Sequence, residues 1–120
     1  MNVLVVGGGA REHAICDAVA RSEQATLYSV MNNLNPGIET LAVEHLLKKE
    51  TAVEDIVSYA KQKNIDIALI GPEAPLEAGL TDALRTQHIN VCAPTKNAAR
   101  IETDKEWMRN LLTKYKVPGQ

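Results

Sequence analysis

Met1-Asn-Val-Leu-Val-Val-Gly-Gly-Gly-Ala-Arg-Glu-His13 opens the chain, and its reading decides the rest. Val3–Val6 is an unbroken apolar run, the pattern of a strand buried on both faces. It meets Gly7, Gly8 and Gly9, and the polar trio Arg11, Glu12 and His13 then begins a helical pattern that runs to Ser22. A buried strand that turns through glycine into a helix presents free N–H groups and the positive end of the helix dipole, an anion site by construction. Glycines without side chains let a phosphate approach the backbone. The planar guanidinium of Arg11 suits phosphate oxygens.

The dinucleotide fingerprint fits poorly. It requires Gly-x-Gly-x-x-Gly and an acidic residue at the end of the second strand. Here Gly7 and Gly9 are in place, but Glu12 stands where the third glycine belongs, and the strand Thr26–Met31 ends in Asn32-Asn33. No Gly-Lys-Ser/Thr follows the glycines, so the nucleotide P-loop is also excluded. A tight turn without a ligand would explain the glycines but not an Arg-Glu-His trio on the first helical turn.

Strand and helix patterns alternate along the 120 residues. After the first pair come the strand Thr26–Met31 and a weakly patterned stretch, 32–49, with a turn at Asn35-Pro36-Gly37. Thr51-x-x-Glu54 reads as a capping box for a helix with Val53, Ile56, Val57 and Ala60 on one face. Ile65–Ile70 is the next strand, flanked by Asp66 and stopped by Gly71-Pro72. A helix over 76–87, a short strand Asn90–Cys92 and a short helix 96–101 follow. Thr103-x-x-Glu106 reads as a second capping box, opening a helix with Trp107, Met108, Leu111, Leu112 and Tyr115 on one face; Val117-Pro118-Gly119 ends it. In the first helix the expected apolar face is Ala14, Ile15, Ala18 and Val19. Continuous apolar strands separated by helices predict an α/β fold: a three-layer, Rossmann-like parallel sheet of about four core strands with helices on both faces. Ligands of such sheets bind at the carboxyl ends of the strands. That rule gathers the loops at 7–13, 31–37, 71–76 and 93–95.

Composition narrows the class. Thirteen basic and fifteen acidic residues give a net charge of −2, which argues against a nucleic-acid footprint. No apolar run is long enough to cross a membrane, and cytoplasm is the expected compartment. Cys16 and Cys92 read as buried thiols rather than a disulfide, His45 and His88 as surface residues, and no spacing suggests a metal site.

The loop Gly71-Pro72-Glu73-Ala74-Pro75-Leu76 is stiffened by two prolines and carries one ionisable group, Glu73. A carboxylate on a rigid loop at the ligand edge can accept hydrogen bonds from a ribose diol or from an amine. Gly-Gly-Gly-Ala-Arg-Glu-His-Ala at 7–14 together with Gly-Pro-Glu-Ala-Pro-Leu at 71–76 resembles the two signatures of the phosphoribosylamine–glycine ligase family. Pro94-Thr95, Ala98-Ala99, Lys105 and Lys116-Val117-Pro118 continue that pattern. Ala93, Thr103 and the order Asn33-Leu34-Asn35-Pro36-Gly37 depart from it.

The resemblance implies a pre-ATP-grasp domain at 1–102, which binds the phosphoribosyl substrate. Residues 103–120 would be a helix and the start of the connection to ATP-grasp domains that a full-length member carries beyond Gln120. The implied reaction joins glycine to 5-phosphoribosylamine with ATP and Mg²⁺ (or Mn²⁺), giving glycinamide ribonucleotide, ADP and phosphate. Substrate-binding positions carried over are Gly8, Gly9, Arg11, Glu12 and His13 in the first loop, Pro36 and Gly37 in the second, Gly71, Pro72, Glu73, Ala74 and Pro75 in the third, and Pro94 and Thr95 in the fourth. Catalytic groups, the ATP site and the metal site are expected outside this chain, which alone should be inactive. The parent is expected to be a monomer, and a piece exposing the Trp107–Tyr115 stripe to self-associate. The competing readings are another ATP-grasp enzyme's first domain, a stand-alone phosphate- or nucleotide-sensing module, and an NAD-linked oxidoreductase domain.

Overall fold

The computed structural model describes residues 1–119; Gln120, the end of the expected connecting segment, lies outside them. The elements are β1 (Asn2–Val6), α1 (Ala10–Ala20), β2 (Thr26–Met31), α2 (Pro36–Leu41), β3 (Glu44–Leu47), α3 (Val53–Gln62), β4 (Ile67–Ile70), α4 (Glu73–Glu77), α5 (Leu80–Thr86), β5 (Asn90–Cys92), α6 (Lys96–Thr103) and α7 (Lys105–Lys114). The strands form one parallel sheet in the order β3-β2-β1-β4-β5. β1 is central, with Val3 beside Leu27 of β2 and Ile67 of β4. The chain winds outward from β1 through β2 to β3, then crosses back to β4 and β5. The switch point of the sheet therefore lies between β1 and β4.

Helices cover both faces. On one, Cys16 of α1 and Ile38 of α2 bury Val5, Leu27 and Met31. On the other, Ile56, Tyr59 and Ala60 of α3, Leu76, Leu80 and Leu84 of α4 and α5, and Ala99 of α6 pack on Leu4, Val6, Val30, Ala68 and Ile70. Leu4, Ile56, Leu80 and Leu84 are fully buried, each contributing about 1.5–3 kcal/mol relative to exposure. Asp66 ties the bottom of β4 to β1: its carboxylate accepts the N–H of Asn2 at 2.7 Å, and its own N–H donates to Asn2 O at 2.8 Å.

Three helices end in the same way. Asn64, His88 and Lys116 adopt positive φ. The following N–H groups, of Ile65, Ile89 and Val117, reach back to the carbonyls of Ala60, Leu84 and Leu112. This double turn-back satisfies carbonyls that a helix end leaves free. In α3 and α5 it aims a buried isoleucine directly toward the next strand.

Several expectations need correction. The sheet has a fifth strand, β3, and the stretch 32–49 holds a helix, α2. β3 sits at the sheet edge with Glu44 and Leu47 exposed, so it lacks a continuous apolar run. The helix expected over 76–87 is two, starting at Glu73 and broken at Gly79, whose φ is 90°. Thr51 is not a cap, because α3 starts from Ala52 with no side-chain bond. Thr103 ends α6, and Asp104 is the cap of α7, its carboxylate accepting the N–H of Trp107 at 2.9 Å. On α1 the buried residues are Glu12 and Cys16, backed by half-buried Ile15 and Val19, while Ala14 and Ala18 are exposed. Cys92 is exposed, because β5 is the other edge strand. On α7 no residue is buried: Trp107, Met108, Leu111 and Leu112 are half-buried and Tyr115 is exposed.

Candidate functional site

At the carboxyl end of the sheet, beside the switch point, lies a cleft of about 310 Å³. Gly8, Gly9 and Glu12 line it from the turn after β1. Asn32 and Asn33 come from the end of β2, Glu50 from the loop after β3, and Pro72 from the loop after β4. The two motifs singled out in the sequence thus meet at one place.

The first turn of α1 organises this edge. Glu12 is only 5% exposed. Its Oε1 accepts the N–H of Gly9 at 3.2 Å, so a resident carboxylate occupies part of the helix N-terminus. Its side chain needs the space of two glycines. A Cβ at Gly7 would lie 2.5 Å from Oε1, and one at Gly71 would lie 2.6 Å from Oε2. Gly7 also has φ 122°, which L side chains rarely adopt. Glu12 therefore stands where a dinucleotide fold places its third glycine, and Gly7 of its own turn and Gly71 of the loop after β4 make room for it. His13 reaches the start of α2, where a Cβ on Gly37 would clash with its ring. Arg11 points a third way, its Nη2 lying 3.7 Å from Oε1 of Glu73 with both side chains largely open to water. The Arg-Glu-His trio thus spans three loops. Of the three, only Arg11 offers an accessible cation.

Asn35, absent from the expected site, secures the second loop. Its Oδ1 accepts the N–H groups of Gly37 and Ile38 to cap α2, and its Nδ2 donates to the carbonyl of Gly8 at 3.0 Å. Its signal was present in Asn-Pro-Gly, a cap followed by proline at the first helical position.

Glu73 is the first residue of α4, next to its N-cap Pro72. A hydrogen bond from its own backbone, then one from Glu102, and the charge of Arg11 hold its carboxyl below the usual range. Glu102, on α6, is pushed up by its hydrogen bond with Glu73 and by that residue's negative charge. Nothing in the sequence pattern linked Glu102 to this loop. The remaining expected positions are dispersed. Pro36 and Gly37 begin α2, Gly71 packs on Glu12, Ala74 is exposed and Pro75 is fully buried. Pro94 and Thr95 follow β5, outside the cleft lining. Thr95 caps α6, its Oγ1 accepting the N–H of Ala98 at 3.1 Å. Among the described residues no group of three or more His, Cys, Asp or Glu is placed to hold a metal ion.

The glycine turn, the open parallel sheet and the cleft at its switch point define a domain of the doubly wound α/β class, whose members bind ligands at that edge. Within that class, residues 1–102 match the family model described as phosphoribosylglycinamide synthetase, N domain, and the chain belongs to that family. It is 52% identical over 120 residues to a phosphoribosylamine–glycine ligase of Methanococcoides burtonii, covering 99% of this chain and 28% of the relative. It is 55% identical over 119 residues to the ligase of that name from Methanothermobacter thermautotrophicus, covering 99% and 27%. The chain thus spans little more than a quarter of the curated relatives it matches. Among solved structures, phosphoribosylglycinamide synthetase from Anaerococcus prevotii superposes with a TM-score of 0.75 at 19% identity, over 97% of this chain and 29% of that one. N5-carboxyaminoimidazole ribonucleotide synthetase from Thermotoga maritima gives 0.73 at 16%, over 98% and 31%. These two likenesses bear on the fold.

Proposed function

We propose that this chain is the phosphoribosyl-substrate-binding domain of a phosphoribosylamine–glycine ligase, which joins glycine to 5-phosphoribosylamine at the expense of ATP. The observation that carries this reading is the meeting of Gly8, Gly9 and Glu12 with Pro72 in one cleft at the switch point. Gly8 and Gly9 let the substrate phosphate approach the turn. Because Glu12 takes the Gly9 N–H, the donors left open to an anion among the described residues are the first helical N–H groups, of Ala10, Arg11 and Glu12. The Arg11 guanidinium leaves Glu73 to join them, and both partners are exposed, so their pair is weak. Glu73, kept ionised, faces the ribosylamine. ATP and Mg²⁺ are the cofactors of such a ligase; among the described residues no group of three or more His, Cys, Asp or Glu is placed to hold a metal ion. The domain acts on small molecules, with the cytoplasm as the proposed compartment. No described helix is long and apolar enough to cross a membrane.

Calorimetric titration with glycinamide ribonucleotide tests this reading. Arg11→Ala weakens binding about tenfold or more, the range for a hydrogen bond to a charged group. Unchanged affinity overturns the role given to Arg11.

A further inference from the structure

Dinucleotide folds hold a ribose diol with an acidic residue at the end of β2. This chain has Asn32 and Asn33 there, yet the fold brings a carboxylate to the same cleft from the next loop. Glu50, after β3, is half-buried and lines the cleft beside both asparagines. Among the described residues it has no hydrogen-bond or ion-pair partner, although Lys48 close by pairs with Asp55 at 3.8 Å. The cleft floor is Glu12, more than nine-tenths buried, with Oε1 engaged by Gly9 and no hydrogen bond to Oε2 among the described residues. Two carboxylates and two amides line this space and no cation does. Away from the glycine turn such a lining suits a hydroxyl-rich neutral group, whose O–H groups donate to carboxylates.

The geometry points to Glu50 as the acceptor for the vicinal hydroxyls of the ligand's ribose, with Asn32 and Asn33 beside it. This inference rests on the phosphoribosyl reading and adds its sugar-recognising arm. Along the sheet edge the order is then Glu50 and the asparagines for the diol, the glycine turn with Arg11 for the phosphate, and Glu73 for the amine.

The test compares ribose 5-phosphate with 2-deoxyribose 5-phosphate, titrated into the wild-type chain and into Glu50→Gln, with amide shifts recorded alongside affinity. The wild type prefers ribose 5-phosphate, and Glu50→Gln weakens that ligand about tenfold while leaving the deoxy ligand within about twofold. Equal losses for both ligands, or no loss for either, overturn the inference. If wild-type shifts still appear at Gly8–Glu12, the phosphoribosyl reading survives that result. Absence of shifts with either sugar phosphate at millimolar concentration overturns both. An unchanged amide spectrum away from the cleft shows that the variant is folded.

Discussion

Gly71→Ala isolates the packing that joins the two signature loops. The new Cβ would sit 2.6 Å from Cγ, Cδ and Oε2 of Glu12, well inside van der Waals contact. Glu12 is buried and bonded to the N–H of Gly9. It can make room only by swinging toward the cleft and losing that charge-assisted bond, or by forcing the loops after β1 and β4 apart. Either route costs about 1–3 kcal/mol. In a Glu12→Ala background the obstructing atoms are gone, and Gly71 lies outside the left-handed region. There the same substitution costs within about 0.5 kcal/mol. Gly7→Ala is the contrast. Its Cβ meets the same carboxylate at 2.5 Å, but φ is 122°, so a backbone penalty of about 1–2 kcal/mol survives the loss of Glu12. Urea denaturation of the wild type, both single variants and the double variant measures the coupling. An equal cost of Gly71→Ala in both backgrounds would refute the reasoning.

Three further outcomes follow from the caps and the thiols. Asp104→Ala removes the cap of α7 and costs that helix about 1 kcal/mol, read as faster amide exchange over 105–114, whereas Thr103→Ala changes it by less than about 0.5 kcal/mol; the reverse ranking would restore Thr103 as the cap. Burial, and then the charge of Glu12, push the Cys16 thiol up to about 11 from 9.0. A native-state thiol assay near neutral pH therefore labels Cys92 quickly and Cys16 only on unfolding. Because the unfolded chain releases the Cys16 proton first, this residue lowers stability as pH rises from 9 toward 11. A flat stability profile through that window would contradict the burial of the group.

Much of the fold was readable because its central strands are buried on both faces. Val3–Val6 and Ile67–Ile70 show as continuous apolar runs, and the glycine turn after β1 marks the ligand edge. β3 was not readable, since an edge strand with Glu44 and Leu47 in water has no such run. The two misplaced caps share one cause. Ser/Thr-x-x-Glu patterns are common, and the residue that caps is the one whose backbone turns extended just before the helix, as Asp104 does. At the site, the loops were legible from glycine and proline, but the partners across them were not. The contacts of Glu12 with Gly71, of Glu73 with Glu102, and the arrival of Glu50 in the cleft join residues far apart in sequence, and only the sheet order β3-β2-β1-β4-β5 brings their loops together.

The most direct test of the central claim is an amide-shift titration of the chain with glycinamide ribonucleotide. The account predicts shifts concentrated at Gly8–His13, Asn32–Asn33 and Gly71–Ala74, with the opposite end of the sheet around Asp66 and Asn90 unmoved. Shifts spread elsewhere, or produced by NAD at these loops and not by glycinamide ribonucleotide, would contradict it.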